Sequence, residues 1–181
     1  GILFTVGHHE STSMFLNPEV YYDAHPEYYR MLEDGSRLRP QGLGGQLVYC
    51  CRSAAVEQVA QNILTWLERS PGVDTIAFWP NDGIHEQCRC TECAKHTKEE
   101  NYVYFMNELA ERICKKRPQI KLDLLVYFDL WQFPGGWLHP AIVADEATWR
   151  TDGLRRVGKP DGSTLANTPY EENLLKWREA G

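Results

Sequence analysis

The chain of 181 residues lacks the features that mark several large classes of protein. It has no apolar run near the ~20 residues that a membrane-spanning helix needs. It has no block of basic residues beyond Lys115-Lys116-Arg117, and its formal net charge is −6. Nucleic acids and anionic membranes are therefore poor candidate partners. No internal repeat or low-complexity tract is present, and the sequence predicts a soluble protein with one substantial core.

The sequence also lacks an initiator methionine, and residues 1–6 are too short and too uncharged for a signal peptide. The last predicted helix reaches Gly181 with no strand after it. We therefore expect an excerpt of a longer protein, and both a cytoplasmic and a secreted location stay open.

Aromatic residues, in contrast, are plentiful, with 6 Trp, 9 Tyr and 6 Phe. Flat apolar rings at the rim of a fold suit stacking against sugars, although they are also ordinary core material. Their positions near predicted strand ends and in loops favour the sugar-binding interpretation. These positions are Tyr49, Trp79, Tyr127, Phe128, Trp131, Phe133 and Trp137.

Predicted strands and helices alternate along the chain. The strands are residues 2–6, 46–51, 75–79, 121–128 and 141–144. Two predicted helices carry apolar stripes, one at Val56, Val59, Ile63 and Leu67 and the other at Met106, Leu109, Ala110 and Ile113. A third predicted helix begins at the capping box Thr168-Pro169-Tyr170-Glu171. Repeated βα units predict a parallel α/β sheet. A closed (β/α)₈ barrel takes ~250 residues. We therefore expect residues 1–181 to form a single domain, which is either an incomplete portion of a TIM barrel or a smaller open sheet.

The segment 75–93 combines a predicted buried strand with polar residues directly after it. The strand ends in Asn81-Asp82-Gly83, at the edge where α/β folds bind their ligands. Asn-Asp-Gly is also an ordinary turn sequence. Asp82 is nevertheless our leading candidate for a catalytic carboxylate, and Glu86 is the nearest glutamate that could act with it.

Several motifs together carry a resemblance to a known family. They are G-H-x-x-x-T from Gly7, H-P-E-Y-Y from His25, E-D-G-x-R from Glu33, N-D-G followed by C-x-C-x-x-C from Asn81, and F-M-N-E-L-A-E from Phe105. In this order they resemble domain-of-unknown-function family 4838, a bacterial family with members classed as glycoside hydrolase family 163. The similarity covers roughly residues 7–134, with a weaker echo at 167–177.

The resemblance implies a (β/α)₈-barrel glycosidase related to endo-β-N-acetylglucosaminidases of complex N-glycans, and more distantly to hexosaminidases and α-glucuronidases. Such enzymes commonly place carboxylates after the fourth strand, which residues 75–79 would form. A general acid must protonate the leaving oxygen, and a second group must stabilise the developing positive charge or polarise the substrate's acetamido group. Gly83 follows Asp82, so the adjacent Asp-Glu pair of these enzymes is absent. The partner carboxylate is then Glu86, Glu10 or a residue outside the chain.

Four further side chains are expected to contact a glycan substrate, in addition to Asn81. His8 and His9 follow the first predicted strand, Tyr127 ends another, and Trp131 lies just beyond it. For His8 and His9, capping of a loop is the alternative, and for Tyr127 it is a buried hydroxyl bonded to backbone.

Cys88, Cys90 and Cys93 have spacing that suits a structural zinc ion, which takes four nitrogen or sulfur ligands. The fourth ligand would be His85, His96 or a distant residue, and free thiols or a Cys88–Cys93 disulfide are the alternatives. Cys50 and Cys51 are adjacent in a predicted strand, so their side chains point to opposite faces and cannot easily join one site. No cofactor is expected for catalysis itself.

Two other functions remain open at this point. An α-glucuronidase-like enzyme needs a basic residue such as Arg52 or Arg150 to pair with the uronate. A non-catalytic carbohydrate-binding or scaffold domain predicts aromatic stacking without paired carboxylates.

Overall fold

In a computed structural model, described for residues 9, 11–41, 49–83, 86–147 and 168–180, the chain has a mixed α/β fold. Within these ranges the helices are α1 (Ser11–Phe15), α2 (Pro18–Tyr21), α3 (Ala55–Glu68), α4 (Lys98–Cys114) and α5 (Thr168–Ala180), and the strands are β1 (Thr75–Ala77), β2 (Lys121–Val126) and β3 (Ile142–Glu146). The predicted α/β class is confirmed. Three strands do not make a closed barrel, so a portion of a TIM barrel stays a prediction.

The three strands form a parallel sheet in the order β1-β2-β3. Ile76 pairs with Leu122, and Leu124 pairs with Ala144. Parallel neighbours need a crossover, and α4 supplies the one between β1 and β2. This topology brings the carboxyl ends of all three strands to one edge of the sheet.

Helices α3 and α4 form because their apolar residues recur at helical spacing. The predicted stripes are buried, at Val56, Val59, Ile63 and Leu67 in α3 and at Met106, Leu109, Ala110 and Ile113 in α4. At the start of α3 the Ser53 hydroxyl accepts a hydrogen bond from the Ala55 N–H group at 3.1 Å. The stripes pack against each other and share one core with Ile76, Phe78 and Leu122, and α4 contacts both β2 and β3.

Helix α4 begins at Lys98, three residues before the predicted start at Asn101. The reason is a capping box, in which the Thr97 side chain accepts the Glu100 N–H at 3.1 Å and the Glu100 carboxylate accepts the Thr97 N–H at 2.7 Å. We expect Thr97→Ala to lower the free energy of unfolding by about 1 kcal/mol, measured by chemical denaturation. Glu99→Ala in the same turn is the control, and an equal loss there would contradict a capping role for Thr97.

The strand boundaries differ from the predicted ones. β1 stops at Ala77, whose pairing with Asp123 is the last between β1 and β2, and the Trp79 side chain just beyond it bonds to Asp123. β2 stops at Val126, before a 3₁₀ turn in which Phe128 has a φ of 54°. β3 extends to Glu146, beyond the predicted end at residue 144.

The remaining predicted strands do not join this sheet in the described ranges. Residues 2–6 and 46–48 lie outside those ranges. Tyr49 makes an isolated antiparallel bridge to Tyr29 instead of extending the parallel sheet. No helix in the described part of the chain is long and apolar enough to cross a membrane.

Candidate functional sites

Three chain segments meet at the end of β1 and β2, in a region that we call the carboxyl edge (His9, Trp79, Asn81 and Tyr127). The His9 Nδ1–H donates to the Pro80 carbonyl oxygen at 2.8 Å. The His9 ring centroid lies 5.7 Å from that of Trp79 and 6.2 Å from that of Tyr127. Three aromatic rings from distant parts of the sequence therefore lie together where parallel sheets bind ligands.

A buried carboxyl group contacts one of these rings, that of Trp79. Asp123, in the middle of β2, is 4% exposed, and its Oδ1 accepts a hydrogen bond from the Trp79 indole Nε1 at 3.0 Å. Burial raises the pKa of Asp123 to about 6, the bond from Trp79 lowers it, and the charge of Asp145 raises it. The carboxyl group thus holds its proton to a higher pH than an ordinary aspartic acid does.

Asn81 and Asp82 follow the same strand but have opposite environments. Asn81 is 2% exposed, whereas the Asp82 side chain is exposed. Gly83 has a φ of 112°, in the left-handed region that favours glycine. The Asn-Asp-Gly sequence therefore forms a turn that leaves the carboxylate of Asp82 open to solvent at the carboxyl edge.

Other predicted site residues make contacts elsewhere. Glu86, the expected partner of Asp82, forms an ion pair of 2.6 Å with Arg30, and its side chain is 62% exposed. The Trp131 ring lies 5.3 Å from that of Tyr170, so it packs against α5. His8 lies outside the described residues. The structure therefore brings His9 and Tyr127 together and directs Glu86 and Trp131 to other partners.

Of the two basic residues considered for binding a uronate, the structure describes only Arg52, and its guanidinium is occupied by other side chains. The Arg52 Nε donates to Asn101 Oδ1 at 2.6 Å, and its guanidinium lies 4.1 Å from the centroid of the Tyr104 ring. Arg150 lies outside the described residues. Nothing in this arrangement favours the α-glucuronidase alternative.

Four cysteines form a second candidate site, which we call the four-cysteine centre (Cys50, Cys88, Cys90 and Cys93). Their sulfur atoms all lie within 4.8 Å of one another, and none is in a disulfide. Cys50 Sγ is 3.5 Å from Cys88 Sγ, 3.5 Å from Cys90 Sγ and 3.8 Å from Cys93 Sγ. This cluster could hold a metal ion.

Cys50 is the residue that sequence reasoning did not assign to the centre. It lies 38 positions before Cys88, and the sequence indicates only that Cys50 and its neighbour Cys51 cannot easily share one site. The structure agrees with that argument, since Cys51 is buried outside the cluster. Cys114 is also separate, with its Sγ donating to the Ile120 carbonyl oxygen at 3.7 Å.

Backbone and amide groups surround the sulfur atoms. The Met31 N–H donates to Cys88 Sγ at 3.3 Å, and the Cys93 N–H donates to Cys90 Sγ at 3.5 Å. The Asn101 side chain, from α4, donates to the Cys93 carbonyl oxygen at 2.9 Å. Hydrogen bonds from Cys50 and Cys93 lower the pKa of Cys88, so one sulfur of the centre favours the thiolate form that binds metals.

Comparison with known families gives one match, over residues 3–135, to the model of a family described as Domain of unknown function (DUF4838). No curated protein and no solved structure matches the chain.

Proposed function

Because the chain belongs to the family Domain of unknown function (DUF4838), whose description assigns no activity, we propose a function from its site geometry. The chain is a glycoside hydrolase domain, part of a (β/α)₈ barrel of the glycoside hydrolase family 163 type. It cleaves glycosidic bonds at N-acetylhexosamine residues of glycans, as endo-β-N-acetylglucosaminidases do. The observation that carries this proposal is the buried Asp123 carboxyl group bonded to Trp79, whose ring lies in the same group as those of His9 and Tyr127.

The chemistry requires two acidic groups with different tasks. Asp82 is exposed at the carboxyl edge, where a carboxylate can polarise the acetamido group of a substrate or act as the acid. Asp123 has a pKa of about 6, which suits a group that must hold a proton near neutral pH. Asp123 therefore replaces Glu86 in the proposal as the second carboxyl group.

The substrate contacts in this proposal are Asn81, His9 and Tyr127. The side-chain amide and imidazole can hydrogen-bond sugar hydroxyls or an acetamido oxygen. The rings of Trp79 and Tyr127 offer apolar faces to a sugar. Their distances from His9 support a single binding region rather than scattered surface residues.

We expect Asp82→Asn to lower the turnover of N-acetylglucosaminides by ~10²–10⁴-fold, since an amide neither donates an acid proton nor carries the polarising charge. Asn keeps the size and the turn preference of Asp, so the thermal midpoint should not change. The assay uses the full-length protein with a complex N-glycan or a chromogenic N-acetylglucosaminide. The matched control is Asp74→Asn, an exposed aspartate directly before β1, at the opposite end of the same strand.

Two further measurements separate the possible outcomes. In a substrate-assisted route, glycans without the 2-acetamido group are not cleaved and a thiazoline mimic inhibits. Full activity of Asp82→Asn would remove Asp82 from the catalytic role. Glycan binding without any hydrolysis by the unmodified protein would instead support a carbohydrate-binding domain.

We also propose that the metal ion held by the four-cysteine centre is a structural zinc ion. Zinc–sulfur bonds of ~2.3 Å in a tetrahedron place the sulfurs about 3.8 Å apart. The three separations from Cys50 Sγ are 3.5, 3.5 and 3.8 Å, close to that edge length. Four protein sulfurs also fill the coordination shell and leave no position for a substrate, which is typical of structural sites.

Elemental analysis of protein purified without chelators tests this proposal, with about one zinc ion per chain expected. Zinc-loaded protein should also protect all four cysteines of the centre from alkylation, while Cys114 reacts. Absence of zinc together with free alkylation of Cys88, Cys90 and Cys93 would contradict it.

A further inference from the structure

Three short segments lie side by side next to the four-cysteine centre. The middle one, residues 28–31, is called the central segment. On one side, Tyr29 bridges Tyr49 and the Cys50 N–H donates to the Tyr28 carbonyl oxygen at 2.8 Å. On the other side, the Arg89 N–H donates to the Met31 carbonyl oxygen at 2.9 Å. The central segment is therefore held between residues 49–50 and residues 88–89.

The two outer segments carry ligands of the centre, whereas the central segment contains no cysteine. Cys50 and Cys88 lie on opposite sides of it, yet their sulfur atoms are only 3.5 Å apart. The Met31 N–H donates directly to Cys88 Sγ at 3.3 Å. A metal ion at the centre thus joins the two neighbours of a segment that it does not bind.

The central segment has little regular secondary structure of its own. Its pairings with Tyr49, and of Met31 with Arg37, are isolated bridges rather than ladders. It also carries Arg30, which is 3% exposed and pairs with Glu86 at 2.6 Å. Tyr28 and Tyr29 anchor one end of the segment in the core, at 8% and 0% exposure, whereas the backbone of Met31 at the other end is bonded to Arg89 and to Cys88 Sγ.

We propose that metal binding at the four-cysteine centre orders the central segment in two ways. The metal fixes Cys88 Sγ, the acceptor of the bond from the Met31 N–H, and it links residues 49–50 to residues 88–89 through Cys50 and Cys88. This inference rests on the proposed zinc site. A bound metal would fix the position of Cys88 Sγ, which accepts the Met31 N–H at 3.3 Å. Joining Cys50 to Cys88 also fixes the two ends of the chain between them, and these ends are the neighbours that bond to the central segment.

The test replaces zinc with ¹¹³Cd, a spin-½ metal that binds thiolates in the same way. NMR of the loaded protein should show scalar coupling between cadmium and the amide protons of Met31 and Cys93, transmitted through their N–H···S bonds. Removal of the metal should accelerate hydrogen exchange at the Met31 amide at least 10-fold more than at the Leu124 amide in β2. Leu124 is the reference because it reports on the central strand of the sheet.

The outcomes distinguish this inference from the zinc proposal. A protein that binds no cadmium or zinc contradicts the metal site itself, and the ordering falls with it. A protein that binds cadmium at four sulfurs but shows no coupling at Met31 overturns the ordering and leaves the metal site intact. Equal acceleration at Met31 and Leu124 also overturns it, since the metal would then act only on the stability of the whole fold.

Discussion

Replacing Cys50 with serine should lower the thermal midpoint of the zinc-loaded protein by about 10 °C or more, the largest loss of stability that we expect from any single substitution here. Binding at free zinc ~1,000-fold above the dissociation constant stabilises a fold by about 4 kcal/mol. Each kcal/mol corresponds to about 2–4 °C for a chain of this size. A serine hydroxyl is a poor zinc ligand, so the variant loses most of this stabilisation.

The measurement is a thermal melt with zinc and again with excess chelator. The unmodified protein should shift between the two conditions, and the Cys50→Ser variant should not. Cys114→Ser is the control, because Cys114 is a cysteine in the same fold that lies outside the centre. A melt of the unmodified protein that does not respond to chelator would contradict a structural role for the metal.

Replacing Asp123 with asparagine should have two opposite effects, a more stable protein above pH 6 and a loss of turnover. The pKa of Asp123 is about 6 in the folded protein, against an ordinary value of 3.8. The folded state therefore binds this proton more tightly than the unfolded state does. The stability from Asp123 is complete below about pH 4 and is lost as the pH rises through about 6.

A difference of two pKa units corresponds to at most about 3 kcal/mol, so we expect a gain of ~1–3 kcal/mol for Asp123→Asn at pH 7.5. Asparagine keeps an oxygen that can accept the bond from the Trp79 indole. Denaturant melts at pH 4 and pH 7.5 measure the gain, which should vanish at the lower pH. Turnover should fall by ~10²–10⁴-fold if Asp123 supplies the proton.

A gain in stability without any loss of activity would remove Asp123 from the mechanism while confirming its titration. A loss of stability at both pH values would contradict the raised pKa itself. Asp74→Asn, at an exposed position, should change neither property and serves as the control.

Helices α3 and α4 were predictable because their buried residues follow the helical repeat, a signal contained within each segment. The boundaries of these helices were harder to predict from the sequence. The capping box of Thr97 and Glu100 could have been found, since its residues stand three apart directly before an apolar stripe. The ends of β1 and β3 depend on pairing with β2, which local sequence does not encode.

In the two candidate sites as well, local features could be predicted and contacts between distant segments could not. Cys88, Cys90 and Cys93 were predicted together because they are local, whereas Cys50 joins them through a pairing of distant segments that no spacing reveals. Asp123 could have been noticed as a single acidic residue within the apolar run of β2. Its bond to Trp79 joins two strands and needed the structure.

The side-chain amide of Asn101 uses its two ends for two different neighbours. Its nitrogen donates to the Cys93 carbonyl oxygen, and its oxygen accepts from Arg52, while the residue is 1% exposed. Chemical ageing of this amide to a carboxylate would remove the donor and add a negative charge next to sulfur ligands that already carry one. Helix α4 buries Asn101 near its start. This one side chain therefore connects α4 to the four-cysteine centre and to Arg52 at the same time.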